Sequence, residues 1–67
     1  MSAKKSPSLY RLKSLMNVRA EPNLTASILN AKPAGTLVAV ESIVDGWLKL
    51  TDGGYILYEA GKYAEKM

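Results

Sequence analysis

The stretch that decides the fold is Asp45–Leu50, which reads DGWLKL. An Asp-Gly pair is a strong signal for a two-residue hairpin turn, because both central positions of that turn need positive φ. Side chains of an extended chain alternate between two faces. The alternation puts Leu48 and Leu50 on one face and Trp47 with Lys49 on the other. The sequence therefore predicts the return strand of a hairpin, with the two leucines in the core and the tryptophan outside it.

The outgoing strand of this hairpin is predicted over Thr36–Val44, nine residues rich in β-branched side chains and without glycine or proline. Both faces of this strand are largely apolar, which indicates either a central strand covered on two sides or one face used in binding. The alternation groups Val38, Val40 and Val44 with Ser42, and it groups Leu37, Ala39 and Ile43 with Glu41.

The rest of the chain contains further short strands joined by turn residues. Alternating apolar side chains from Tyr10 to Val18 predict a half-buried first strand, which ends at the proline of Glu21–Asn23. Ile28–Ala31 and Tyr55–Leu57 predict two more strands. Residues 58–67 are predicted to form a single turn or short helix. About five short strands in one small chain indicate an all-β fold, a small barrel of SH3-like or OB-like type.

Composition excludes most catalytic chemistry. The chain has 67 residues, enough for one domain, and it contains no histidine and no cysteine. No imidazole or thiolate is therefore present to act as a general base, nucleophile or metal ligand. The six acidic residues would need a deep cleft to act as a catalytic carboxylate pair, and a barrel of this size has little room for one. We expect no enzyme activity, no metal and no cofactor.

Charge divides the chain into a basic beginning and a mildly acidic remainder. Residues 1–19 hold five basic and no acidic residues, whereas residues 20–67 hold four basic and six acidic ones. We divide the chain into a basic arm over residues 1–8 and a barrel over residues 9–67. The basic beginning would suit an anionic partner, but a solvated arm that keeps the chain soluble is the favoured explanation. The candidate contacts for such a partner are Lys4, Lys5, Arg11 and Lys13.

Nucleic acid is not favoured as that partner. Proteins that bind single strands interleave stacking aromatics with basic residues, and only Tyr10 lies among the basic residues here. No apolar run reaches the length of a signal peptide or of the roughly 18 residues that a membrane span requires. The sequence therefore predicts no secretion signal and no membrane span.

Four segments, in order, carry a family resemblance. They are Met16–Pro22 (MNVRAEP), Lys32–Val38 (KPAGTLV), Asp45–Leu50 (DGWLKL) and Gly54–Ile56 (GYI). In this order and spacing they resemble the bacterial SH3 family (SH3b, SH3 type 3) over about residues 12–57. The resemblance implies an SH3-like barrel and a non-catalytic module that recognises bacterial cell-wall peptidoglycan or its peptides. The chain departs from the family pattern at Glu21, at Tyr55 and in the last ten residues.

The predicted ligand site follows partly from that resemblance. Trp47, with Tyr55 and Tyr58 on the adjoining segment, could form an aromatic platform for a sugar ring or a peptide. In the family the loop that here contains Glu21 and Asn23 borders the ligand groove, so the resemblance adds these two residues. The alternative for the tryptophan is that it packs against this loop and has no ligand.

Arg19 and Asn17 also allow two interpretations. Together they could donate hydrogen bonds to a carboxylate or phosphate. They could instead hold the following loop by bonding its backbone carbonyls.

A second function fits the same barrel. A small phage virion or assembly protein could use it for protein–protein contacts, with the basic arm docked on a partner or on another copy in a homo-oligomer. The partner is therefore either the bacterial cell wall or another protein of a larger assembly. Without an export signal, we expect a protein that is cytoplasmic as made, or phage-encoded and either carried in the virion or released on lysis.

Overall fold

The computed structural model describes residues 7–67, which form seven β-strands and one short 3-10 turn. The predicted all-β class is confirmed. Residues 1–6, with Lys4, Lys5 and most of the predicted arm, lie outside the described residues. The strands are β1 (Ser8–Leu12), β2 (Met16–Arg19), β3 (Ile28–Lys32), β4 (Leu37–Val44), β5 (Trp47–Leu50), β6 (Tyr55–Leu57) and β7 (Ala64–Lys66), and the turn is Glu59–Gly61.

All seven strands belong to one antiparallel sheet in the order β3-β2-β6-β5-β4-β1-β7. The predicted first strand is in fact two strands, because the chain leaves the sheet between Leu12 and Met16. Strand β7 was not predicted. Over residues 7–67 the end strands β3 and β7 do not pair with each other, so a closed barrel of five strands is not confirmed.

The hydrophobic core lies on one side of this sheet. Val18, Leu48 and Leu50 are in it, which confirms the core positions predicted from alternation in β2 and β5. Met16 and Tyr58 pack against it at its margin. The complete core cluster is Tyr10, Leu12, Val18, Val38, Val40, Leu48, Leu50, Ile56 and Ala64.

The β4–β5 hairpin closes through the predicted turn. Asp45 and Gly46 have φ of 50° and 81°, and positive φ at both positions is the geometry that favours an Asp-Gly pair.

A bulge in β4 overturns part of the predicted face assignment. Val40 lies opposite Leu50, but the next pair along the ladder is Ser42 with Lys49, so one extra residue is accommodated in β4. An extra residue reverses which face the following side chains occupy. The grouping of Ser42 and Val44 with the core valines is therefore wrong, because both lie on the face of Lys49 and Trp47.

Strand β4 is interior to the sheet, but its outer face is not covered at Leu37, which is about half exposed. The bulge also moves Ile43 from its predicted place beside Leu37 to the face of Leu48, where it too is about half exposed. At the C-terminal end, the single turn or short helix predicted over residues 58–67 is confirmed only in part, since Glu59–Gly61 form a 3-10 turn but Ala64–Lys66 form β7. Within residues 7–67 the structure contains no helix with the length and apolar character needed to cross a membrane.

Candidate binding cleft

The face of the sheet opposite the core carries a row of polar side chains across three strands. Arg19 of β2 lies opposite Tyr55 of β6, and Tyr55 lies opposite Lys49 of β5. All three side chains are half-buried. Register therefore places two cationic side chains on either side of a tyrosine, and we call these three residues the cationic row.

A second row runs parallel to the first and is mainly apolar. Trp47 lies opposite Leu57, and continuing the antiparallel register from Arg19 and Tyr55 places Asn17 opposite Leu57. The two rows are two residues apart along each strand, about 7 Å at about 3.4 Å per residue. An apolar row and a cationic row thus lie side by side on one face.

The apolar row and one member of the cationic row, Arg19, line a cavity of about 230 Å³, which we call the Trp47 cleft. Trp47 is only 6% exposed and so is nearly covered, whereas Leu24 is 66% exposed at the rim. The lining is aliphatic and aromatic except for two polar residues, Asn17 and Arg19. The full set is Leu15, Met16, Asn17, Arg19, Leu24, Trp47, Leu57 and Tyr63.

The loop between β2 and β3 forms part of the rim, and Arg19 fixes its position. An Nη1 hydrogen of Arg19 is donated to the carbonyl of Ala26 at 3.0 Å. The amide of Ala20 donates to the carbonyl of Ser27 at 2.9 Å. The interpretation in which Arg19 holds the following loop through a backbone carbonyl is confirmed. A guanidinium has five N–H donors, so this bond leaves others for a ligand.

Glu21 and Asn23 make different hydrogen bonds in that loop. The Asn23 side-chain oxygen accepts hydrogen bonds from the amide and the hydroxyl of Thr25, at 3.0 and 2.9 Å. This local turn brackets Leu24 and fixes the backbone on both sides of it. Glu21 is exposed, and its carbonyl accepts a bond from the Asn23 amide at 2.8 Å. The structure therefore gives Asn23 a clear role in shaping the rim.

The three predicted aromatic residues are not all brought together. Trp47 and Tyr55 share the face of the cleft, but Tyr58 packs on the core side, edge-on to Tyr10 with ring centroids 5.4 Å apart. Burial, with a smaller contribution from the Tyr58 phenol, raises the pKa of Tyr10. Because Trp47 is nearly covered, it forms the floor of a cleft and not an open platform.

Of the four basic residues predicted to meet an anionic partner, the two in the described part of the chain contact the C-terminal segment. Arg11 pairs with Glu65 of β7, and its Nε donates to that carboxylate at 2.9 Å. Hydrogen bonding and charge from Arg11 lower the pKa of Glu65. The ammonium of Lys13 donates to the carbonyl of Gly61 at 2.8 Å. These contacts fix the last ten residues against β1.

Sequence reasoning missed most of the apolar lining of the cleft. Leu57 could have been found, since alternation in β6 puts it on the face opposite Ile56. Leu15, Leu24 and Tyr63 come from loops and from the C-terminal segment, and no periodic pattern marks them. A second, smaller cavity of about 120 Å³ near Asp52 contains no aromatic residue.

No protein-family model matches this chain, and no curated protein or solved structure matches it significantly. Among residues 7–67 no group of three or more histidine, cysteine, aspartate or glutamate side chains lies close enough to hold a metal ion. The function must therefore be argued from the cleft.

Proposed function

We propose that this protein is a non-catalytic binding module of the SH3b type, which recognises peptides of the bacterial cell wall in the Trp47 cleft. The observation that carries the proposal is the cleft itself, with a nearly covered tryptophan as floor, an exposed leucine at the rim and two polar residues, Asn17 and Arg19, in its lining. Small ligand sites typically combine an apolar lining with a few polar groups. A cavity of about 150 Å³ can hold benzene, so about 230 Å³ suits a single large side chain.

The SH3-like fold is part of the same proposal. Two features of the segments that resemble the family support it: Val18 and Leu48 are in the core, and Asp45 with Gly46 closes a hairpin. Gly54 is buried beside Val18. Five strands adjacent in the sheet, in the order β2-β6-β5-β4-β1, would form the body of the barrel.

Retention on purified bacterial cell walls tests the proposal, with Leu24→Ser as the informative variant. Leu24 is at the rim and 66% exposed, so serine should leave folding intact but remove apolar surface that a ligand covers. Losing about 1.5 kcal/mol of binding free energy from the burial of this side chain lowers affinity by roughly tenfold. We expect the wild-type chain to sediment with walls and Leu24→Ser to need about tenfold more wall material for the same bound fraction.

The matched control is Ile43→Ser, which removes another exposed aliphatic side chain from a position that does not line the cleft. It should bind walls as the wild type does. Thermal melting of both variants shows whether folding is intact. Absence of wild-type retention on walls from several bacterial species, or equal retention of the two variants, would argue against the proposal.

A second function, assembly through protein–protein contacts, is favoured by a different observation. Strand β3 is at the end of the sheet, and Ile28 and Leu29 on it are 53% and 57% exposed. Its only charged residue is Lys32, at its last position. An open apolar edge is a template for pairing with another chain. A small virion or assembly protein would use such an edge.

Sedimentation velocity over a range of protein concentrations tests the assembly function. If β3 pairs with another copy, the wild-type chain should associate as concentration rises, and Leu29→Lys should shift the midpoint upward by about tenfold, since a lysine protects an edge strand. Ile43→Lys, on interior strand β4, should not shift it. A wild-type chain that stays monomeric at millimolar concentration would contradict self-assembly through β3.

A further inference from the structure

The cationic row next to the Trp47 cleft has no counter-charge of its own. Neither Arg19 nor Lys49 forms an ion pair with any residue in the range 7–67, where the ion pairs are Arg11 with Glu65 and Lys62 with Glu59. Both side chains are half-buried, which strengthens their field compared with freely solvated cations. Two unpaired, half-buried cations on one face indicate a site for an anionic group.

Because this positive charge lies beside an apolar cavity, a ligand that uses both should carry an anionic group and an apolar group close together. Arg19 lines the cleft together with Trp47 and Leu57, so a cationic residue borders the space that an apolar side chain would fill. Strands are about 4.8 Å apart, which puts the backbones of Arg19 and Lys49 about 10 Å apart with Tyr55 between them. A carboxylate between the two can accept hydrogen bonds from guanidinium, ammonium and phenol.

We infer that the site takes the C-terminal residue of a peptide, with its free carboxylate on the cationic row and a large apolar side chain in the Trp47 cleft. One terminal residue carries both groups on a single Cα, which matches rows only about 7 Å apart. Phosphate offers the charge without the apolar group. The inference rests on the proposed binding role of the cleft, and it adds which part of a peptide is recognised.

Fluorescence anisotropy with a labelled glycine-glycine-leucine tripeptide tests the inference, comparing the free acid with the C-terminal amide. The two differ only in the terminal charge. We expect the free acid to bind at least tenfold more tightly at low salt, and Lys49→Gln to reduce that preference about threefold or more. Lys66→Gln is the control, because Lys66 is an exposed cation on β7 at the other end of the sheet. Lys49 is the better choice for substitution, since Arg19 also holds the loop.

Two further ligands test separately whether the terminal carboxylate and the leucine side chain of the peptide contribute to binding. The free acid of triglycine should bind at least tenfold more weakly than the leucine peptide if the cleft holds the side chain. Sodium phosphate at constant ionic strength should not displace the leucine peptide at equal concentration. Equal binding of acid and amide, an acid preference unchanged in Lys49→Gln, triglycine binding as well as the leucine peptide, or displacement by equimolar phosphate would each overturn the inference.

Wall retention in the same buffer keeps this inference separate from the proposed function. If walls retain the chain but acid and amide bind equally, the carboxylate inference fails and the wall-binding proposal stands. If the acid is preferred but walls retain nothing, the cleft is a peptide site and its assignment to cell walls fails.

Discussion

Replacing Leu48 by alanine should lower the free energy of unfolding by about 3 kcal/mol, within the 2–5 kcal/mol typical of large-to-small core substitutions. Leu48 is 0% exposed and lies on β5, in the middle of the core cluster. A 67-residue domain without disulfides or metal has only a few kcal/mol of net stability. We therefore expect the variant to be largely unfolded at 25 °C, measured by urea titration followed through Trp47 fluorescence and circular dichroism.

The control for Leu48→Ala is Leu37→Ala, which makes the same chemical change at a side chain about half exposed. It should cost less than about 1 kcal/mol, because little apolar area returns to water. Similar midpoints for the two variants would show that the core is not centred on β5.

The sequence could predict this part of the core because it depends on local alternation. Leu48 and Leu50 are separated by one residue in a short strand that directly follows a tight turn, so the turn sets which face each side chain occupies. The same reasoning identified Val18. It was wrong in β4 beyond Val40, because the bulge adds one residue at a place that no glycine or proline marks in the sequence.

The candidate site was less predictable than the core, for a physical reason. The cleft and the cationic row depend on the pairing of β2 with β6, seen in Arg19 opposite Tyr55, which are far apart in sequence. No local pattern encodes that register. Alternation did place Trp47 and Lys49 on the face away from the core, but it could not show that Leu24, from a loop, would line the same cavity as the tryptophan.

Strand β7 was missed because its residues favour helices and its pairing is decided by tertiary contacts. Glu65 pairs with Arg11 across the sheet, and Lys13 holds the turn before β7 through the Gly61 carbonyl. These contacts also explain why two basic residues predicted to meet an anionic partner face this chain's own C-terminal segment. Arg19 and Lys49, which form no ion pair within residues 7–67, lie on the face that carries the cleft.

The core lies on one face of the sheet and the Trp47 cleft on the other, and Gly54 packs against a residue of the core. It is buried between β5 and β6, and a Cβ there would overlap Cγ1 of Val18, a core side chain next to Arg19. Gly54→Ala should cost about 1–3 kcal/mol, the usual range for overpacking. The φ of Gly54 is not in the positive region that disfavours alanine, so steric overlap is the expected cause.

A double-mutant cycle with Val18→Ala measures that overlap. Val18→Ala alone should destabilise by about 2 kcal/mol through lost burial, but it removes the atom that a Cβ at position 54 would meet. On this background Gly54→Ala should cost almost nothing, giving a coupling energy of at least about 1 kcal/mol. Urea titrations of the four proteins give the cycle. An equal cost of Gly54→Ala on both backgrounds would mean that the glycine is needed for its backbone and not for the space it leaves to Val18.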